Sequence, residues 1–387
     1  MAPNLSSLFL ADATSAEPVQ IISPKSEVLS YQPAYQAPKK PVTKSKEPQY
    51  KWDIVWKNVL IFILLHTAAV YGLYLMFTRA MWQTNVFAIL YAAFTAMGVT
   101  AGAHRLWAHR TYKAKTPLRI FLMILQSAAL QNDIHEWVRD HRVHHKFTDT
   151  DADPHNSNRG FFFSHIGWLM VKKHPMVISK GKTVDMSDIE ADPVVQFQKR
   201  HYILMVTLLT FMIPAHIPWY FWGENWWVTW YVTIARYTLS LNFTWLVNSA
   251  AHIWGTKPFD KNINPTENKF VAVAAFGEGW HNFHHVFPWD YKAAELGNYR
   301  MNFSTAFLDF MAYIGQAYDL KTVSEAMVKR RVKRTGDGTW EEKECSGKKE
   351  ERGHDHEYGE YVWGWGDKDM KEDDVNDVMR YNQLKDE

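Results

Sequence analysis

Four apolar blocks separated by polar stretches set the pattern of this chain. The first runs from Asn58 to Phe77 and the second from Asn85 to His104. Each has about 20 residues, enough to cross a bilayer as a helix. A short loop carrying only Arg79 joins them. The third block runs from His201 to Trp222 and is interrupted by Pro214 and Pro218. The fourth runs from Trp226 to Val247, contains Arg236, and follows a Gly223-Glu224-Asn225 turn. A fifth apolar stretch, Leu118 to Leu130, has only about 13 residues, which predicts a re-entrant or interfacial segment instead of a span. The pattern predicts an all-α integral membrane protein with four transmembrane helices, over 58–77, 85–104, 201–222 and 226–247. Residues 1–50, with Pro, Ser and Lys, predict a flexible tail. Residues 51–325 hold the membrane domain. Residues 326–387 are charged and predict a second, loosely ordered tail. Within it, Trp363-Gly364-Trp365-Gly366 is a patch suited to docking.

Composition explains a mean hydropathy of −0.32, because the polar tails dilute the spans. The 18 tryptophans suit the two membrane–water boundaries. Lys and Arg crowd three segments: before the first span, between the second and third, and after the fourth. The positive-inside tendency puts all three in the cytosol, with both termini and every histidine motif. The sequons at Asn4 and Asn302 are then expected to stay bare. A net charge of only +2 gives no reason for a nucleic-acid partner. The single cysteine, Cys345, excludes an internal disulfide framework and a cysteine-based metal cage, and fits a reducing, cytosol-facing location. No signal-peptide n-region, myristoylation pattern or Lys-Asp-Glu-Leu-type retrieval signal is expected from the two ends.

Histidine is where chemistry enters. Of 18 histidines, nine sit close to the apolar blocks. His141-Arg142-Val143-His144-His145 and His281-Asn282-Phe283-His284-His285 repeat one pattern. Helical offsets of zero, three and four residues fall within about 100°, so each copy aims three imidazoles at one point. His104 and His109 follow the second block. They are five apart, about 140° around an ideal helix, so the helix must end or bend between them if both bind metal. His252 lies four residues after Asn248, on the same face of a continuous helix. Asn248 could hold a water on one metal. Nine neutral nitrogen donors are too many for one ion and suit two transition metals. A structural zinc site would need four ligands and more often uses cysteine. Carboxylate-rich di-iron bundles use Glu-x-x-His, which is not the pattern here. Nine imidazoles arranged for two irons imply oxygen activation, and a membrane boundary implies a lipid substrate. Asp149-Thr150-Asp151-Ala152-Asp153 is no EF-hand, because Pro154 and Gly160 stand where Gly and Glu are needed. Those acids are expected to orient histidines or to cap a helix end. The lone histidines His66, His165 and His216 are expected to be packing or interfacial residues.

His104-Arg105-Leu106-Trp107-Ala108-His109, the His141–His145 box and Gly279-Trp280-His281-Asn282-Phe283-His284-His285 together resemble the three boxes of stearoyl-CoA-type acyl-CoA desaturases, with an insect-like character. The resemblance covers about Trp52 to Thr339. It implies an endoplasmic-reticulum membrane enzyme with four spans and a cytosolic helical cap holding two irons. It implies that His104, His109, His141, His145 and His284 hold one iron. His144, His252, His281 and His285 hold the other, with Asn248 contributing through a water. It also implies acyl-CoA contacts at Asn58, Asn132, Arg139, Asp140, Lys172, Lys173 and Trp245. Of these, Arg139, Lys172 and Lys173 suit the phosphates of coenzyme A. Trp245 could wall a narrow apolar tunnel. The reaction implied is insertion of a cis double bond into a saturated acyl-CoA, using O2 and two electrons. With no His-Pro-Gly-Gly haem motif in the chain, the donor implied is a separate cytochrome b5, reduced by its NADH-dependent reductase.

Double-bond position is less legible. Asn264-Pro265-Thr266-Glu267 resembles the form found in insect enzymes acting at carbon nine. Ala92 and Ala96 lie where the methyl end of the acyl chain is expected. The alternatives are another position such as carbon eleven, or a hydroxylase or acetylenase using the same boxes. A metal transporter, the alternative of another class, is disfavoured because transporters place ligands at the bilayer midplane. Arg236 is expected to make a buried structural pairing.

Overall fold

Sustained apolar composition makes Trp56–Thr78 a 23-residue helix, about 35 Å long at 1.5 Å per residue. It packs along Trp226–Asn248, also 23 residues. Gly72 lets the two backbones close: a Cβ there would stand 2.1 Å from the Tyr231 carbonyl oxygen. These helices belong to a computed structural model that describes residues 51–295, 301–340 and 361–383. The tail over 1–50, the Asn4 sequon and Cys345 lie outside the described residues.

Three helical stretches among the described residues are long and apolar enough to cross a membrane: Trp56–Thr78, Trp82–Ala108 and Pro193–Trp222. Trp226–Asn248 has the length, but Thr229, Thr233, Arg236 and Thr238 make it more polar, and all four are buried. The proline-interrupted block is one long helical run. It widens into a π-helix over Thr207–Met212 and runs on into Ile213–Trp222, where Pro214 brings no N–H to the run. Widening changes which carbonyls are used, and the Thr210 carbonyl accepts from Arg236 Nη2 at 3.0 Å. Arg236 thus has one buried partner, while its Nε and Nη1 make no hydrogen bond among the described residues, so the buried structural pairing expected of it is met only in part. The short apolar stretch is a 14-residue helix, Thr116–Ala129. It is about 21 Å long, too short to span. Leu118, Leu122 and Met123 face inward, while Ile120, Phe121 and Ile124 are exposed.

Two elements differ from expectation. The second block extends as a π-helix over Gly98–Ala108. The C-terminal region is not simply a loose tail. Glu325–Thr335 is a helix, and Met327 and Val328 pack on Phe283 and Phe287. Val378–Tyr381 pairs antiparallel with Leu320–Val323. Apolar residues at 362, 363, 365 and 370 provide the buried contact that the surrounding charge obscures in the sequence. The described residues from Trp52 onward form one compact unit.

Candidate metal centre

Each histidine is placed by a local feature. Ile134–Lys146 starts at Asp133, whose carboxylate accepts from Glu136 N at 3.0 Å, and carries His141, His144 and His145 at its far end. His281–Val286 is a six-residue helix. Its entry requires Gly279, where a Cβ would sit 2.1 Å from Ala272 N. Its Phe283 N–H donates to Glu267 Oε1 at 2.8 Å. His104 and His109 were expected to need a helix end or bend between them. The π-helix does end between them, at Ala108, and His109 N–H donates to the His104 carbonyl at 3.1 Å. That i→i+5 bond widens the turn, so residues five apart come to one side. Asn248 and His252 do not share a continuous face, because the helix breaks at Ser249 (φ −112°, ψ −74°) before Ala250–Ile253.

The nine imidazoles form two groups, His104, His109, His141, His145 and His284 in one, and His144, His252, His281 and His285 in the other. Within each group, one ring nitrogen per residue lies within 4.8 Å of the others. The expectation that each box aims three rings at one point needs correction. Both boxes divide. His141 and His145 enter the first group while His144 enters the second; His281 and His285 enter the second while His284 enters the first. Within each group, rings from the two boxes meet closely, with His144 Nε2 3.2 Å from His285 Nε2 and His284 Nε2 3.1 Å from His145 Nε2.

Acceptors on the far side of four rings decide which nitrogen faces inward. His144 Nδ1 lies 2.9 Å from Asp153 Oδ2, and His252 Nδ1 lies 3.0 Å from Asp149 Oδ2. His104 Nδ1 is 2.8 Å from Glu278 Oε2. His109 Nδ1 donates to the Trp363 carbonyl. A neutral imidazole has one N–H, and with that proton on Nδ1 each of these four rings would present a bare Nε2 lone pair to the interior. Burial, reinforced by neighbouring imidazoles, pulls His109, His141, His145, His281, His284 and His285 well below the ordinary histidine range. They are therefore neutral, the form that binds metal. Burial alone would raise the three orienting carboxyls, but the partners win. Asp149 is lowered chiefly by His252, Asp153 by His144, and Glu278 by Arg105 and then His104. Lone pairs converging in two buried clusters, backed by ionised carboxylates, form a donor set that fits two cations.

Residues 80–296 match the family model described as fatty acid desaturase. The chain belongs to the fatty acid desaturase family. Membership makes it an oxidoreductase. It is 58% identical over 337 residues to the acyl-CoA Delta-9 desaturase of Acheta domesticus, covering 87% of this chain and 88% of that one. It is 56% identical over 341 residues to the acyl-CoA Delta12-desaturase of the same species, covering 88% and 90%. Against the acyl-CoA Delta(11) desaturase of Spodoptera littoralis it is 57% identical over 289 residues, covering 75% and 86%.

The remaining candidate positions of this desaturase are all engaged in internal contacts. Arg139 pairs with Glu136 at 3.1 Å and Asp140 at 2.9 Å. Lys173 reaches the same two carboxylates at 3.1 and 2.5 Å. Lys172 is exposed and pairs with Asp53 at 3.1 Å. Asn58 donates to the Leu169 carbonyl at 2.7 Å. Asn132 is exposed with φ +67°, and its carbonyl accepts from Gln126 Nε2 at 2.8 Å. Trp245 is buried among Phe62, His66 and His165. His66 and His165 both bond Asn242, and His216 bonds the Met212 carbonyl; none of the three joins a histidine group.

The acidic run was expected to orient histidines, and two of its three acids do; other working residues were not legible as such. Within the acidic run, Asp149 and Asp153 orient histidines, whereas the exposed Asp151 pairs with Arg159 at 2.6 Å. Glu278 lies three residues before His281, a carboxylate beside a box, and that signal could have been used. Arg105, fully buried, ties Glu278 to the Tyr291 carbonyl and Thr305. Arg142 donates to the Trp107 and Ala108 carbonyls at 2.7 and 3.0 Å and pairs with Asp188 at 2.7 Å. His155 packs against the His144 ring, centroids 4.3 Å apart. Asn264-Pro265-Thr266-Glu267 ties the third box to the His252 segment: Thr266 Oγ1 donates to the Ala251 carbonyl at 2.9 Å, while Glu267 accepts from Phe283.

Proposed function

We propose that this chain is an acyl-CoA desaturase that introduces a cis double bond at carbon nine of a saturated fatty acyl-CoA. The observation that carries this reading is the reciprocal division of the two histidine boxes between two nitrogen groups. His104, His109, His141, His145 and His284 hold one iron. His144, His252, His281 and His285 hold the second, with Asn248 contributing through a water. Bound irons supply the activation of O2 that removes hydrogen from two adjacent methylenes. The reaction balances as one CH2–CH2 unit, O2, two electrons and two protons giving one CH=CH unit and two waters.

The protein's own part is positioning. Arg139, Lys172 and Lys173 bind the phosphates of coenzyme A, displacing contacts that Glu136, Asp140 and Asp53 now make. Asn58, Asn132 and Asp140 bind the remaining polar groups. Trp245 walls the acyl chain. Distance from the phosphate anchors to the irons then selects the carbon. The protein spans the endoplasmic-reticulum membrane four times, Trp226–Asn248 being the fourth span, with both termini and the metal centre in the cytosol. Cytochrome b5 and its NADH-dependent reductase supply electrons.

Carbon nine is chosen on the Asn264–Glu267 segment. Relatives named for positions nine, eleven and twelve are almost equally similar, so the product decides. Expression in a yeast lacking its own desaturase, followed by double-bond location in the lipids, is expected to show unsaturation at carbon nine. A bond at another carbon overturns the position. A product gaining one oxygen atom overturns desaturation in favour of hydroxylation.

A further inference from the structure

A segment far along the chain reaches the first histidine group. Trp363 is 2% exposed, and its carbonyl accepts from His109 Nδ1. Trp365 N donates back to the His109 carbonyl at 2.9 Å. Gly364 sits between them against His109, where a Cβ would stand 2.5 Å from the His109 carbonyl oxygen and 2.7 Å from its Cα. The segment is anchored on both sides of this contact. Arg142 lies 4.0 Å and Arg110 5.0 Å from the centre of the Trp363 ring. Asp367 accepts from Trp363 N at 2.9 Å and pairs at 2.9 Å with Lys146, the residue after His145. Further on, Val378–Tyr381 is zipped to Leu320–Val323.

Of the nine histidines, His109 is the one outside any helical segment, since the π-helix ends at Ala108. Its ring is not carried by a helix, and its carbonyl belongs to a helix end that needs a donor. The Trp363–Trp365 backbone supplies both missing restraints. We propose that residues 361–370 are a positioning strap for the first metal site: the Trp363 carbonyl fixes the Nδ1–H tautomer of His109 and turns its Nε2 toward the group. This rests on reading that group as an iron site. The strap touches no substrate, so its effect is on metal retention.

The test uses full-length protein in detergent, as wild type, Gly364→Ala and Asp367→Asn. Gly364→Ala forces the strap away from His109 without altering a histidine. Asp367→Asn keeps the strap backbone but weakens its anchor to Lys146. Iron per chain is measured by elemental analysis, iron release by transfer to a ferrous chelator, and folding by the thermal midpoint of the metal-free forms. Wild type is expected to hold two irons. Gly364→Ala is expected to hold about one and to release iron from the affected site about 10-fold faster or more. Asp367→Asn is expected to fall between them. Should Gly364→Ala not fold, Asp367→Asn decides alone. Two irons released at the wild-type rate in every folded variant would overturn the strap and leave the metal reading intact. Wild type without iron would overturn both.

Discussion

At the scale of single residues, the histidines depend on the groups behind them. Asp149 and Asp153 look alike in the sequence as Asp151 does, yet only the first two reach an imidazole. Replacing Asp153 by Ala leaves His144 without its Nδ1 acceptor, and iron content and turnover are expected to fall about 10- to 100-fold. Asp151→Asn breaks an exposed pair and is expected to leave both within about twofold. Parallel iron assays and product yields separate the two. A second residue-scale expectation concerns Lys321, which is buried beside Asp319 and 5.3 Å from the Trp365 ring centre. Burial pulls its ammonium down to about 8, against the opposing pull of Asp319. The unfolded chain keeps that proton up to about pH 10.4, so between these values the unfolded state binds more protons. Stability therefore rises with pH across that window. Thermal midpoints from pH 7.5 to 10 are expected to climb more steeply in wild type than in Lys321→Met.

At the scale of elements, the two box arginines join segments. The orphan carbonyls at the end of the π-helix need donors, and Arg142 satisfies Trp107 and Ala108 with one guanidinium, itself held by Asp188. Lysine cannot reproduce that fork. Arg142→Lys is expected to cost about 2 kcal/mol or more, given the usual worth of buried hydrogen bonds to a charged group. Denaturation in detergent measures it, and a loss below the error of the measurement would refute the capping role. The helices themselves were legible: apolar composition and block length locate Trp56–Thr78 and Trp226–Asn248 within two residues at each end. The π-helix was not. Its wide turn carries no signature in composition, because it depends on what packs against it. The helix end expected between His104 and His109 is present, at Ala108, but the widened turn before it has no local signal.

At the scale of the whole molecule, the histidines come from four separate stretches of chain, and a C-terminal segment closes against one of them. Ring nitrogens face one another across 2.9–3.2 Å in a buried centre, a donor set that a cation would bridge. A cation at about 100 times its dissociation constant contributes about 2.7 kcal/mol to the folded state. Chelation is therefore expected to lower the thermal midpoint of wild type, and re-addition of ferrous iron to restore it. A midpoint indifferent to both would contradict a resident metal. Asn302 illustrates the same long-range logic. Its sequon reads as a surface feature, but its side chain is fully buried, accepting from Arg105 at 3.3 Å and from Thr305 N at 3.2 Å.

By itself, the amino-acid sequence determined the apolar blocks, the helical class, the identity of the nine nitrogen donors and the resemblance to desaturases. Each of these is written in local spacing or in residue type, and local spacing dictates which way a side chain leaves its own backbone. The resemblance already divided each box between two irons, and the tertiary structure brings together the same two groups; only the tertiary structure decided that Asp149, Asp153 and Glu278 orient histidines while Asp151 does not, and that Trp363 meets His109. Those outcomes depend on which distant segments come face to face. They are settled by packing and by the need to give every buried polar group a partner, and neither is carried by any short stretch of chain.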